Sequence, residues 1–294
     1  MKRVQLFLVL GLALLFASSA FAQSYTFMQI NNPGDPSNPF TQLLGINNNM
    51  VIAGYHNFGN NQGFTLVLPR QFTTENYPSS MMTQVIGINN SNTTSGFYVD
   101  QNGITHGFYH TSNGAYTNVD YPNTAFNQLL SQNDLHQAAG YYSLSQNNIT
   151  PDFPYVYDEV GGVFEVIYIP GAVNGAQATG INNSQQKCGF FIDSNMVNHG
   201  WLLNGGVFVQ LDYPGSSFTQ ALGLNNMGQV VGAYVDSGGL THGFLYSISN
   251  GQFVSIDNPN GIGTTIVNGI NDAGDLVGFY GTAPINTGFV ALPQ

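Results

Sequence analysis

Apolar and polar residues alternate with a period of two in short bursts along most of this chain, and the bursts come in sets of four. The clearest set is Thr219–Asn225, Gln229–Val235, His242–Ser247 and Gln252–Asp257. Each is rich in β-branched and aromatic residues and predicts a strand. Between the first two lies Asn-Asn-Met-Gly, where Asn226 is placed to close an Asx-turn and Gly228 to take a positive φ. Between the third and fourth lies Asn250-Gly251, matched by Asn113-Gly114 and Asn204-Gly205, a strong hairpin signal. The connection Asp212–Ser217 is longer and holds Pro214, which breaks strand pairing, so it predicts a crossover between sheets.

The set recurs. Gly45-Ile46-Asn47-Asn48 returns as Gly87–Asn90, Gly180–Asn183, Gly223-Leu224-Asn225-Asn226 and Gly269–Asp272, with a degraded copy at Ser131-Gln132-Asn133-Asp134. The steps between copies are 42, 44, 49, 43 and 46 residues, the spacing of propeller blades. The expectation is an all-β, six-bladed β-propeller of four-stranded antiparallel blades. The strand at Phe27–Pro33 is of the outer type and has no inner partners before it, while the chain ends after the third-type strand Thr287-Gly288-Phe289. Pairing of the N-terminal strand with the C-terminal blade would close the circle. An open stack would instead leave unpaired edges and need caps, and the sequence offers none.

Ahead of the repeats, Lys2 and Arg3 precede an apolar run from Leu6 to Phe16 and an Ala20-Phe21-Ala22 cleavage site. This predicts a secretory signal peptide over residues 1–22 and a single propeller domain over 23–294. The run is far shorter than the ~20 residues a spanning helix needs. No cysteine follows it to carry a lipid, so the expected location is secreted or periplasmic, with no membrane insertion after cleavage. Loss of the leader leaves Arg70 and Lys187 as the only cations against fifteen acidic residues. Nucleic-acid binding rests on Lys and Arg replacing phosphate counterions, so that class is excluded. Cys188 is the single cysteine, and stability must come from packing without a disulfide.

The linked motifs GINN-x-G-x-VVG-x-Y, HGF-x-Y and F-x-x-IDYP, covering the whole mature chain, resemble the HAF-repeat family of bacterial extracellular proteins. Gly107, Gly200 and Gly243 stand where the family's naming motif has alanine. The resemblance implies secretion and a propeller-like repeat; it carries no established catalytic activity and leaves function open.

His106, His199 and His242 share one repeat position and Asp120, Asp212 and Asp257 another, and both sets belong to loops on one face. They read either as a ring of metal ligands and titrating groups or as pairs tying each blade together. The second is preferred, because equivalent positions on a wide ring cannot share a metal at ~2 Å. Gln42, Gln84, Gln128, Gln177 and Gln220 recur on the inner strand, with Ile266 in sixth place; they line a polar channel or satisfy backbone groups. Tyr55, Tyr98, Tyr142 and Tyr234 are expected to pack between blades, whereas Tyr77, Tyr121 and Tyr213 in the crossovers are candidates for stacking on sugar rings. The third repeat breaks symmetry with His136, an insertion at Asn147–Pro154, and Asp152, Asp158, Glu159 and Glu165 close together. Asp152 and Asp158 are the candidate binding carboxylates there. Nucleophile elbows, phosphate loops, dinucleotide fingerprints and His-Glu-x-x-His helices are absent from the sequence, and no cofactor or metal is expected. The leading reading is a secreted, non-catalytic binding or scaffold module for extracellular glycan or protein. A polysaccharide hydrolase or lyase and a structural cell-surface component are the alternatives.

Overall fold

The computed structural model describes residues 24–34, 39–146, 151–282 and 284–294; the expected leader and Asn147–Thr150 of the insertion lie outside them. The chain folds as an all-β propeller of four-stranded antiparallel blades. The first is β2 (Thr41–Ile46), β3 (Val51–Phe58), β4 (Asn60–Val67) and β5 (Gln71–Thr74) in spatial order. The next is β6 (Met82–Ile88), β7 (Thr94–Val99), β8 (Thr105–His110) and β9 (Tyr116–Val119), followed by β10 (Phe126–Gln132), β11 (Gln137–Ser143), β12 (Phe153–Asp158) and β13 (Val163–Val166). Two further sheets are β14 (Ala176–Ile181), β15 (Lys187–Ile192), β16 (Asn198–Asn204), β17 (Val207–Leu211), and β18 (Phe218–Leu224), β19 (Gln229–Val235), β20 (Thr241–Ser247), β21 (Gln252–Ile256). The last sheet joins β22 (Thr265–Ile270), β23 (Leu276–Tyr280) and β24 (Thr287–Pro293) to β1 (Tyr25–Ile30) from the other end of the chain. β1 and β24 are antiparallel with six residues in register, from Tyr25 opposite Pro293 to Ile30 opposite Gly288.

One departure from the expected layout is that β6–β13 form a single eight-stranded sheet. Its two halves are joined by one parallel bridge, Phe126 with Thr105. The same kind of bridge, Phe40 with Asn286 and Thr241 with Thr264, touches other neighbouring sheets at the same place in the repeat without merging them. The merger is thus one backbone contact at the start of an inner strand.

The core lies between successive sheets. Ala139 and Val156 of one pack with Ala178, Phe191 and Trp201 of the next, and Val231 and Leu245 pack with Val267, Leu276 and Phe289. Leu43, Ile52, Phe64 and Leu66 of the first sheet pack with Val277 and Val290 of the last. Each buried Val, Leu, Ile or Phe among them contributes about 1.5–3 kcal/mol.

Inner strands approach closely at the first position of the repeated motif, which is glycine in every copy except the degraded one, where Ser131 stands. A Cβ on Gly223 would lie 2.5 Å from the Asn268 carbonyl oxygen, and one on Gly269 would lie 2.6 Å from that of Leu44. This steric demand explains the glycine that opens the repeated motif.

Because strands alternate in direction, turns after inner and third strands emerge on one face. Turns after second strands, together with the crossovers, emerge on the other.

Candidate functional site

The first asparagine of each repeat motif does two jobs on the first face. Asn225 Oδ1 accepts the backbone N–H groups of Met227 and Gln229 at 3.1 and 2.9 Å, building the turn. Asn225, rather than the expected Asn226, therefore closes the Asx-turn. Its Nδ2 donates to the Asn271 carbonyl at 2.9 Å, in the next sheet. The same donation runs Asn47 to Asn89, Asn89 to Asn133, Asn133 to Asn182, Asn182 to Asn225, and finally Asn271 back to Asn47 at 3.3 Å. The carboxamide carries its acceptor and its donors on separate atoms, so one side chain serves the turn and the next sheet together, and Asn133 keeps both roles in the degraded copy.

The second motif residues form a parallel circuit. Each backbone N–H, in the order Asn48, Asn90, Asp134, Asn183, Asn226, Asp272, donates to the Oδ1 of the next, and Asp272 returns to Asn48 at 2.8 Å. Asp134 Oδ2 accepts from Asn90 and Asn183 Nδ2, and Asp272 Oδ2 from Asn226 and Asn48 Nδ2, all at 2.7–3.0 Å. Burial disfavours the Asp272 carboxylate, but these amide donors outweigh it and hold its pKa below the ordinary value.

Behind this plug runs an axial cavity of about 330 Å³, to which all six inner strands contribute. Leu44, Ile86, Leu130 and Leu222 form an apolar belt with Thr179 and Asn268. Toward the second face Gln42, Gln84, Gln128 and Gln177 stand beside Tyr55, Phe97 and Phe190. Gln42 Oε1 accepts from the Tyr55 hydroxyl at 2.8 Å. Tyr55 thus lines the cavity, one residue out of step with Tyr98 and Tyr234, because Gly54-Tyr55 aligns with Gly96-Phe97 and Gly232-Ala233. Gln220 bonds instead to Asn198 at 3.0 Å.

On the second face the recurring histidines and aspartates meet blade by blade. His106 Nδ1 lies 2.7 Å from Asp120, His199 Nδ1 3.0 Å from Asp212, and His242 Nδ1 2.9 Å from Asp257. Sequence reasoning missed a third partner. Nε2 of the same histidines faces Asp100 at 3.7 Å, Asp193 at 3.6 Å and Asp236 at 3.4 Å. The signal was present, since an aspartate stands six residues before each histidine. Those aspartates cap the turn after the second strand: Asp236 Oδ1 accepts from Leu240 and Gly238 N–H at 2.9 and 2.8 Å. Backbone donors of this kind are the main force lowering the pKa of Asp100, Asp193 and Asp236. Each imidazole also stacks on an aromatic ring, Tyr98, Phe191 or Tyr234, at 5.0–5.1 Å. Burial opposes the imidazolium of His242, yet Asp257 and Asp236 outweigh it and raise its pKa. Among the described residues no group of three or more His, Cys, Asp or Glu is arranged to hold a metal ion.

The crossover tyrosines are stacked on their own protein. Tyr121 lies on Tyr142 at 4.0 Å, and Tyr213 on Tyr234 at 3.6 Å with ring planes 2° apart. Asp152 and Asp158 flank β12 at its opposite ends, which places them on opposite faces. Asp152 Oδ2 accepts from Gln177 Nε2 at 2.7 Å, and Asp158 Oδ1 caps its hairpin through Val160 and Gly161 N–H. Glu159 joins Gln132 and lies 3.6 Å from His136, and burial raises its pKa.

No family model matches this chain, and no curated protein matches its sequence. Solved structures do. The SapL1 lectin in complex with alpha methyl fucoside aligns with a TM-score of 0.56 at 12% identity, over 87% of this chain and 95% of that one. An Aleuria aurantia lectin variant in complex with Fucα1-6GlcNAc aligns at 0.51 and 9% identity, over 84% and 90%. The β-propeller domain of the Trilobed protease from Pyrococcus furiosus aligns at 0.51 and 9% identity, over 86% and 97%. The chain is a propeller by architecture; identities this low speak to fold alone.

Proposed function

We propose that this chain is a secreted ring of six blades, of the HAF-repeat kind, that works as a non-catalytic binding or scaffold module for extracellular glycan or protein. Support for six wedges on one axis comes from the two hydrogen-bond circuits, which pass once through each repeat and return to their start. Support for secretion is the leader-like sequence at residues 1–22.

The observation that carries the binding reading is the axial cavity. Its volume, about 330 Å³, is in the range of small-ligand sites, about 300–1,000 Å³. Its amides both donate and accept, its aromatic walls offer apolar faces, and its inner end narrows to about 60 Å³ within the asparagine–aspartate ring, so a ligand of this size enters from the crossover face. Two of the propellers of similar architecture are lectins holding fucosides, the analogy behind the glycan half of the proposal.

The test is a glycan array with the mature chain, together with a pull-down from the envelope of the secreting cell. A hit weakened at least tenfold by Gln84→Ala or Gln128→Ala supports the axial site. Failure to capture any glycan or protein by either route overturns the reading.

A further inference from the structure

The blade formed by β2–β5 departs from the pattern of its neighbours at the position where three of them carry the Asp–His–Asp cluster. Gln62 pairs across the ladder with His56, as His106 pairs with Tyr98 and His242 with Tyr234, so Gln62 holds the histidine's place. Asn76, just before the crossover Tyr77, holds that of Asp120 and Asp257. The third member is missing as well. β3 and β4 are each eight residues long and meet through Gly59, at φ +81°, instead of the capped turns headed by Asp100, Asp193 and Asp236.

These changes leave a cavity where the others have a filled cluster. The lengthened hairpin continues its ladder through Asn57 with Asn61 and Phe58 with Asn60, forming one wall. The crossover to β6 forms the other. The space between is about 370 Å³, lined by Asn60, Asn61, Gln62 and Asn76 with Met81 and Met82, and among the described residues no acidic, basic or histidine side chain lines it. Asn76 Oδ1 accepts the Gly63 N–H at 3.0 Å, which fixes that amide in place.

We propose that this pocket is a second binding site, independent of the axial cavity, for an uncharged polyhydroxylated ligand of monosaccharide size. A hydroxyl both donates and accepts, and a carboxamide is the neutral side chain that answers it in both senses. Among the described residues lining it, a cation finds no carboxylate and an anion no Lys, Arg or His. Met81, half exposed, offers a polarizable apolar surface for the C–H face of a sugar ring.

The test is nuclear magnetic resonance of side-chain amides in the mature chain, titrated with glucose, galactose, mannose and fucose, with glucuronate as the charged control. The expected result is that a neutral sugar shifts the signals of Asn60, Asn61, Gln62 and Asn76, and glucuronate binds at least tenfold more weakly. The double variant Gln62→His with Asn76→Asp restores the pair that the other blades tolerate, and should weaken binding at least tenfold. Gln62→Ala, which removes a single amide, serves if the double variant does not fold. No shift with any neutral sugar, equal binding by glucuronate, or unchanged binding in the folded variants overturns the proposal. Shifts confined to Gln42, Gln84, Gln128 and Gln177 also overturn it, while upholding the axial site.

Discussion

Asp272 Oδ2 accepts a 2.7 Å hydrogen bond from Asn48 Nδ2 across 224 residues of sequence. In the ring of second motif residues, Asp272 stands opposite Asp134, and each carboxylate accepts from the Nδ2 of both flanking asparagines. The two aspartates are therefore the hydrogen-bond sinks of the ring.

Asp272→Asn turns the Oδ2 acceptor into a donor that faces the Nδ2 groups of Asn48 and Asn226. Both amides are solvent-exposed and can turn to water, so the expected loss is about 0.5–1.5 kcal/mol, read as a lower denaturation midpoint. Because the folded Asp272 pKa is depressed, its contribution is present above the unfolded value near 3.8 and lost as pH falls through the folded one. The variant should therefore be less acid-sensitive than the parent, which melting curves down the acid range will show.

His242 should keep its proton above the ordinary histidine value of about 6.5. The sign is opposite to that of Asp272. A raised folded pKa gives stability that is complete below the unfolded value and lost as pH rises through the folded one. Imidazole resonances followed against pH will give the midpoint, and Asp257→Asn should lower it.

Removing β1, by starting the chain at Pro39, uncovers the hydrogen-bonding edge of β24 and the Phe27–Phe289 contact, whose ring centroids are 5.5 Å apart. Unpaired edges recruit other edges. The truncated chain should elute from size exclusion as dimers and larger species; a stable monomer with unchanged melting would refute the closing role of that strand.

Cys188 is fully buried, and burial pushes its thiol up to about 12. The thiolate is the reactive form. A thiol reagent at about pH 8 should leave the native chain untouched for hours and titrate one equivalent once the chain is unfolded.

Much of the architecture was legible in the sequence because its signals are local. Gln229–Val235 is a strand with the bounds its alternation predicts, and Gly228 takes φ +74° in the turn where a glycine was needed. Signals that depend on who lies across a seam were not. Asn225 and Asn226 are adjacent and chemically identical, and only the neighbouring sheet determines which one builds the turn and which one joins the ring. Tyr55 was misplaced by one residue because a tyrosine satisfies either face of its strand. Asp236 caps a turn, a role its own loop specifies; its approach to His242 needs the two loops placed side by side. The pocket beside Gln62 is visible only as a difference between repeats, once their ladders are aligned.

The seam between β1 and β24 brings Ser24 to hydrogen-bond distance of Gln294, 2.9 Å over 270 residues. β1 thus finds its mate only once β24 has been made. Contacts of such long sequence separation make that pairing slow, and until it forms both edges of the seam stay open.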